Sequence, residues 1–162
     1  MLFVIELSTR RVEIAGISTK PDGAWMVQVD RNLTDVEDGF LADKKYLIHD
    51  RDPLFTAEFR ETLAAEIESV RLPARSPNLN AYAERFVRTI KESCLERLIL
   101  FGEQSLRRAI EEFVVHYHHE RNHQGLDNEL IFPELTATDP FAPIERCQRL
   151  GGMLNHYYRR AA

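Results

Sequence analysis

The sequence predicts an α/β domain with a mixed sheet flanked by helices. Two apolar stretches near the start have strand spacing, and strand and helix patterns then alternate up to residue 72. Beyond that point the periodicity is helical. A length of 162 residues suits a single core, and 44% hydrophobic residues can fill it. Hydropathy never stays high over the ~18 residues that a membrane span needs. The apolar start Met1–Ile5 has no basic flank and reaches Glu6 at once, so it reads as a strand and not a leader. Cys94 and Cys147 stand apart in the sequence, which predicts no disulfide framework and a reducing, cytoplasmic setting.

Taken in order, Leu2–Leu7 and Arg11–Ile17 read as two strands joined by Ser8-Thr9-Arg10. Pro21-Asp22-Gly23 breaks that pattern, and a helix follows from Ala24 to about Asn32. Thr34–Gly39 is a cap followed by a further helical turn or a loop. Tyr46–His49 is short and apolar, the pattern of a central strand. Thr56 is placed to cap a helix from Ala57 to about Glu66, with Phe59 and Leu63 on one face. Ser69–Leu72 is a strand, and Pro73–Leu79 a loop. A long helix from Ala81 to about Leu98 would bury Ala83, Phe86, Val87, Ile90 and Cys94. Gly102 interrupts the chain before a helix over Glu103–Glu120, with Leu106, Ile110, Phe113, Val114 and Tyr117 inward. After Gly125, Pro133, Pro140, Pro143 and Gly151-Gly152 predict an extended C-terminal arm. The expected division is therefore a core over 1–130 and an arm over 131–162.

Charge is unevenly distributed. The net charge is −5 overall, but residues 71–108 carry 8 basic and 4 acidic side chains. That segment contains Glu84, and local field governs attraction of phosphate more than the total does. Asp50 ends the strand at His49, and Glu84 lies near the start of a helix. Carboxylates so placed suit Mg²⁺ or Mn²⁺, hard cations that leave coordination positions for phosphate oxygens. Phosphodiester chemistry is commonly built this way. In a regular helix Glu84, Arg88 and Lys91 share a face, so a nucleic-acid backbone passing the metal would meet two cations. Taken alone, Glu84 and Arg88 also read as an ordinary i,i+4 ion pair worth roughly 0.2–0.5 kcal/mol. His116, His118, His119 and His123 are scattered around a helix end and argue for structural roles over a zinc site.

Three motifs carry a family resemblance. His49-Asp50-Arg51-Asp52-Pro53-Leu54-Phe55-Thr56 and Ser76-Pro77-Asn78-Leu79-Asn80-Ala81-Tyr82-Ala83-Glu84-Arg85 resemble the catalytic core of DDE transposases and retroviral-type integrases. Tyr117-His118-His119-Glu120-Arg121-Asn122-His123-Gln124-Gly125-Leu126 resembles a stretch of bacterial insertion-sequence transposases. Arg10–Gly16 resembles a strand of the same core. The resemblance spans residues 2–130 and implies a ribonuclease-H-like mixed sheet flanked by helices. It implies Asp50 and Glu84 as catalytic metal ligands for Mg²⁺ or Mn²⁺. It places Asn80, Arg85, Arg88, Lys91, Arg121 and His123 on DNA-contacting positions.

The sequence departs from the family pattern in three places. Between Asp50 and Glu84 lie 33 residues, slightly under the usual spacing. Ala64–Glu68 lacks the glycine expected between helix and strand. The first catalytic Asp belongs on a strand before Leu2, so the expected core lacks its first strand. Glu6 and Asp52 are poor substitutes: by the resemblance Glu6 falls on the second strand, at a position usually held by a non-catalytic residue, and an acid before proline such as Asp52 more often caps its own backbone. Two readings follow from this. One is an integrase or transposase core that cleaves and joins DNA strands, impaired in this chain. The other is a non-catalytic DNA-binding remnant. The expected partners are DNA and a second copy or a full-length transposase, with no membrane. A nuclease of the same fold with another acidic set is a third, weaker possibility.

Overall fold

A computed structural model describes residues 1–63, 67–74, 76–133, 139 and 141–159. The chain divides into two units, one of Met1–Ile5 with Glu13–Ala83 and one of Glu6–Val12 with Glu84–Ala162. Both helices and strands are present, giving a mixed α/β chain. The single mixed sheet of the sequence reading is not seen among the described residues. Among the described residues the strands make three two-stranded sheets. No helix among them is long and apolar enough to cross a membrane.

In the first unit, β1 (Leu2–Ile5) pairs with β2 (Val12–Gly16). Helix α1 (Gly23–Leu33) starts where the Asp22 carboxylate accepts the Trp25 amide at 2.8 Å, satisfying one of the donors left open at a helix start. β3 (Tyr46–His49) and β4 (Glu68–Arg71) run parallel, with Ile48 opposite Val70. Between them lies α2 (Ala57–Leu63), capped as expected by the Thr56 hydroxyl, which accepts the Phe59 amide. The helix was expected to reach about Glu66, but residues 64–66 lie outside the described residues. Met26, Val29 and Leu33 of α1 meet Phe59 and Leu63 of α2 in one core. Leu2, Val4, Ala15 and Leu47 pack onto that core from the strands. β3 is not central, because β4 is its only partner among the described residues, and Tyr46 and Ile48 are exposed.

Asp30 lies on the buried face of α1, fully removed from solvent. Neither carboxylate oxygen has a hydrogen-bond partner among the described residues. Burial pushes its carboxyl up to about 6, against the opposing charge of Arg31.

In the second unit, α3 (Ala81–Ser93) and α4 (Gly102–His119) supply most of the core. Phe86, Ile90 and Cys94 are buried as the helical spacing predicts. The Phe86 ring meets Phe113 at 6.2 Å and Tyr117 at 5.2 Å, both edge-on. Helix α3 ends at Ser93, short of Leu98, and a 3₁₀ turn over Leu95–Arg97 follows. Gly102 opens α4 with φ +74°, a conformation that a side chain would strain.

The expected extended arm contains an antiparallel hairpin, β5 (Ile144–Arg149) and β6 (Leu154–Arg159). Its turn needs positive φ at Leu150, Gly151 and Gly152, which explains the glycine pair. One face carries Glu145, Cys147 and Arg149 opposite Tyr158, His156 and Leu154. This face is tied to the end of α4. Arg149 donates to Glu120 at 2.7–2.8 Å and to Glu112 at 2.9 Å. His116 donates to the other Glu120 oxygen at 3.0 Å, and the His156 ring to the Glu120 carbonyl. Burial pushes the Glu120 carboxyl up, but Arg149 and His116 outweigh it and hold it below the usual range.

Two outcomes follow from these placements. Because the folded-state pKa of Asp30 is raised, ionisation costs stability above pH ~6, and the cost fades as pH falls toward ~4. Asp30→Leu should therefore raise stability in urea at pH 7 by about 2 kcal/mol, and by much less at pH 4. Glu120→Gln should lower stability by about 2 kcal/mol by leaving Arg149 without its main charge partner. Amide exchange should then quicken across residues 144–159.

Candidate nucleic-acid and metal site

The acidic residues singled out by the sequence sit on different units, Asp50 on the first and Glu84 on the second. Asp50 follows β3, held there by its neighbour His49. The buried His49 ring donates from Nδ1 to the Asp50 carbonyl at 2.6 Å and accepts at Nε2 from the Ser69 hydroxyl at 3.0 Å. Phe55 covers the ring at 4.2 Å. Burial pushes the His49 pKa down, consistent with a neutral ring that both donates and accepts. The residue thus holds backbone.

The Asp50 side chain is exposed. Its Oδ1 accepts the Asp52 amide at 3.0 Å, and Asp52 in turn accepts the Leu54 amide at 2.8 Å. Asp52 therefore caps its own turn, as an acid before proline is expected to do. Arg51 anchors the loop through Nε to the Leu72 carbonyl at 3.1 Å. Glu6 accepts from the Thr9 hydroxyl at 2.6 Å within the hairpin turn.

Asn80 closes a 3₁₀ turn over Pro77–Asn80 directly before α3 and is half-buried. Glu84 lies in the first turn of α3, where the helix dipole favours a carboxylate. Glu84, Arg85, Arg88 and Lys91 are all exposed. Glu84, Arg88 and Lys91 lie one turn apart along a single face. Glu84 and Arg88 form no ion pair with each other among the described residues, so the ordinary i,i+4 pairing is not what occupies this face. Its charges are presented to solvent.

Arg121 and His123 follow α4 and are half-buried. The His123 ring donates from Nε2 to the Tyr117 carbonyl at 2.7 Å and lies edge-on to the Tyr117 ring at 4.6 Å. Burial lowers its pKa. Burial raises the Tyr117 hydroxyl, and the charges of Arg121, Arg10 and Arg85 oppose that rise.

The histidine group has no metal geometry. His116 meets Glu120, His118 accepts the Val12 amide at Nε2, and His123 meets Tyr117. Among the described residues, no set of three or more His, Cys, Asp or Glu side chains is arranged to hold one metal ion. Asp50 and Glu84 still supply the oxygen-donor chemistry that a hard divalent cation takes.

Residues 65–129 match the family model of the integrase core domain. The match takes in Asn80, Glu84, Arg85, Arg88, Lys91, Arg121 and His123, while Asp50 precedes it. Over this stretch the resemblance read from the motifs holds. No curated protein and no solved structure matches the chain.

His118 makes the second unit sensitive to pH. Burial lowers its pKa to about 4, helped by the charges of His119, Arg11 and His123. An unfolded histidine takes up a proton near pH 6.5, whereas the folded one resists until about 4, so stability falls as pH drops through that window. Urea unfolding between pH 7 and pH 4 should show a loss of about 2–3 kcal/mol from this group. His118→Gln should flatten that slope.

Proposed function

We propose that this chain is an integrase- or transposase-type protein that acts on DNA phosphodiesters with Mg²⁺ or Mn²⁺. The observation that carries the reading is the integrase core match over residues 65–129, within which α3 presents Glu84, Arg88 and Lys91 on one exposed face. In this reading Asp50 and Glu84 would each supply a carboxylate oxygen to a metal ion. Asp50 keeps Oδ2 available while Oδ1 fixes the Asp52 amide, so the turn orients the carboxylate before any ligand arrives. His49 supports the same loop from beneath. When bound, the metal supplies electrophilic stabilisation of a phosphoryl oxygen and activation of a water or 3′-hydroxyl.

Arg88 and Lys91 then take phosphates of the passing strand, and Arg85 and Asn80 flank them. Each cation contributes a salt-sensitive contact that positions the strand without reading its sequence. Arg121 and His123 complete the DNA-contacting set, with His123 acting through the Tyr117 carbonyl it holds. The protein works as a homo-oligomer or together with a full-length transposase.

Isothermal titration of Mg²⁺ and Mn²⁺ into the chain, Asp50→Asn and Glu84→Gln tests this reading. Each substitution should weaken binding by roughly tenfold or more, since one lost charged ligand costs upward of about 1.4 kcal/mol. Binding that ignores both changes, or no binding by the parent chain, would overturn metal-dependent catalysis. It would favour a non-catalytic DNA-associated protein.

A further inference from the structure

The β5–β6 hairpin has two unlike faces. The face carrying Cys147, Arg149 and His156 is spent on anchoring at Glu120. The other pairs Ile144 with Arg159, Arg146 with Tyr157 and Gln148 with Asn155. It is the exposed face, with Ile144 and Tyr157 each 62% accessible. Arg146 is braced there. Its Nε donates to the Asn155 oxygen at 2.9 Å, and with the Gln148 amide turned to accept, that oxygen lies 2.8–3.0 Å from the guanidinium. Arg159 donates to the Ala142 carbonyl. Neither arginine enters an ion pair among the described residues. The one acid in the two strands, Glu145, is on the opposite face and accepts from the Tyr158 hydroxyl.

We infer that this outward face is a second DNA-contacting surface, a two-stranded ribbon that lies against duplex DNA outside the α3 face. The inference rests on the DNA-directed reading above. Charge complementarity selects the partner, because two guanidiniums without an ion pair among the described residues flank an exposed tyrosine, and the one acid of the two strands is on the other face. The dimensions agree. A six-residue hairpin is about 20 Å long, and a two-stranded ribbon fits the major groove, about 12 Å across. A guanidinium held in place by neutral amides keeps its full charge and loses little side-chain entropy on meeting phosphate or guanine.

The test is fluorescence anisotropy of a labelled duplex against the full chain over a salt series, with light scattering on the same samples. Arg146→Gln combined with Arg159→Gln should lower the slope of log affinity against log salt by about two and weaken binding at low salt by roughly tenfold or more. Arg146→Gln with Tyr157→Ala, which leaves the Arg159–Ala142 contact in place, should lower the slope by about one. Both variants should keep the parent melting midpoint, because the Glu120 anchor is untouched. Parent-like affinity and slope in folded variants would overturn the inference while leaving the metal titration at Asp50 and Glu84 to stand or fall by itself. Unchanged DNA binding with a dissociated oligomer would also overturn it, making the face a contact between copies. A parent chain that binds no duplex would overturn both the inference and the DNA-directed reading.

Discussion

The Glu120 carboxylate organises the second unit more than any other group does. It ends α4, and both oxygens are engaged, one by Arg149 and the other by His116. Its own carbonyl accepts a hydrogen bond from the His156 ring. A single residue thus joins a helix end to both strands of the hairpin. The side chain is almost fully removed from solvent, so the charge is tolerable only because Arg149 and His116 reach it together. The hairpin has little apolar surface to hold it in place. Leu154 is its one deeply buried hydrophobic residue.

The first unit is built on different physics. There the helices α1 and α2 and the strands share an apolar cluster, and the loop carrying Asp50 is braced by hydrogen bonds. His49, Asp50 and Asp52 form a continuous relay from buried ring to carbonyl and from carboxylate to amide. The loop carrying the proposed metal ligand is thus tied together by local hydrogen bonds that start from a buried ring. Glu84 is oriented otherwise, by its place in the first turn of a helix whose opposite face is anchored through Phe86 and Ile90.

Where periodicity and burial coincide, the sequence was readable. The α3 stripe of Phe86, Ile90 and Cys94 appears as expected because apolar side chains at helical spacing can bury only one way. Thr56 capped its helix for the same reason that it was recognisable, a hydroxyl just before an apolar run. The hairpin was hidden because its inner face is Glu145, Cys147 and Arg149, a pattern with no apolar alternation to read. Its burial comes from charge pairing at Glu120, 25 or more positions away along the chain. The apolar run Tyr46–His49 suggested a strand covered on both faces, yet Tyr46 and Ile48 face solvent. Asp30 and His118 were also illegible, since each occupies a core-facing helix position that the pattern reserves for apolar residues. Of the candidate residues, the exposed α3 face shared by Glu84, Arg88 and Lys91 could be read. The tie of His123 to the Tyr117 carbonyl could not.

The Leu150–Gly152 turn has a consequence for which changes of length this chain tolerates. Alternation along a strand has a period of two, so what the turn fixes is parity. Adding or removing one residue between Arg149 and Leu154 would turn one strand over relative to the other. Arg149 would then keep Glu120 only at the expense of His156, or His156 would keep it at the expense of Arg149. A change of two residues would restore both. Insertions and deletions in this turn should therefore be filtered by whether they are odd or even, a constraint that falls on chain length as much as on residue identity.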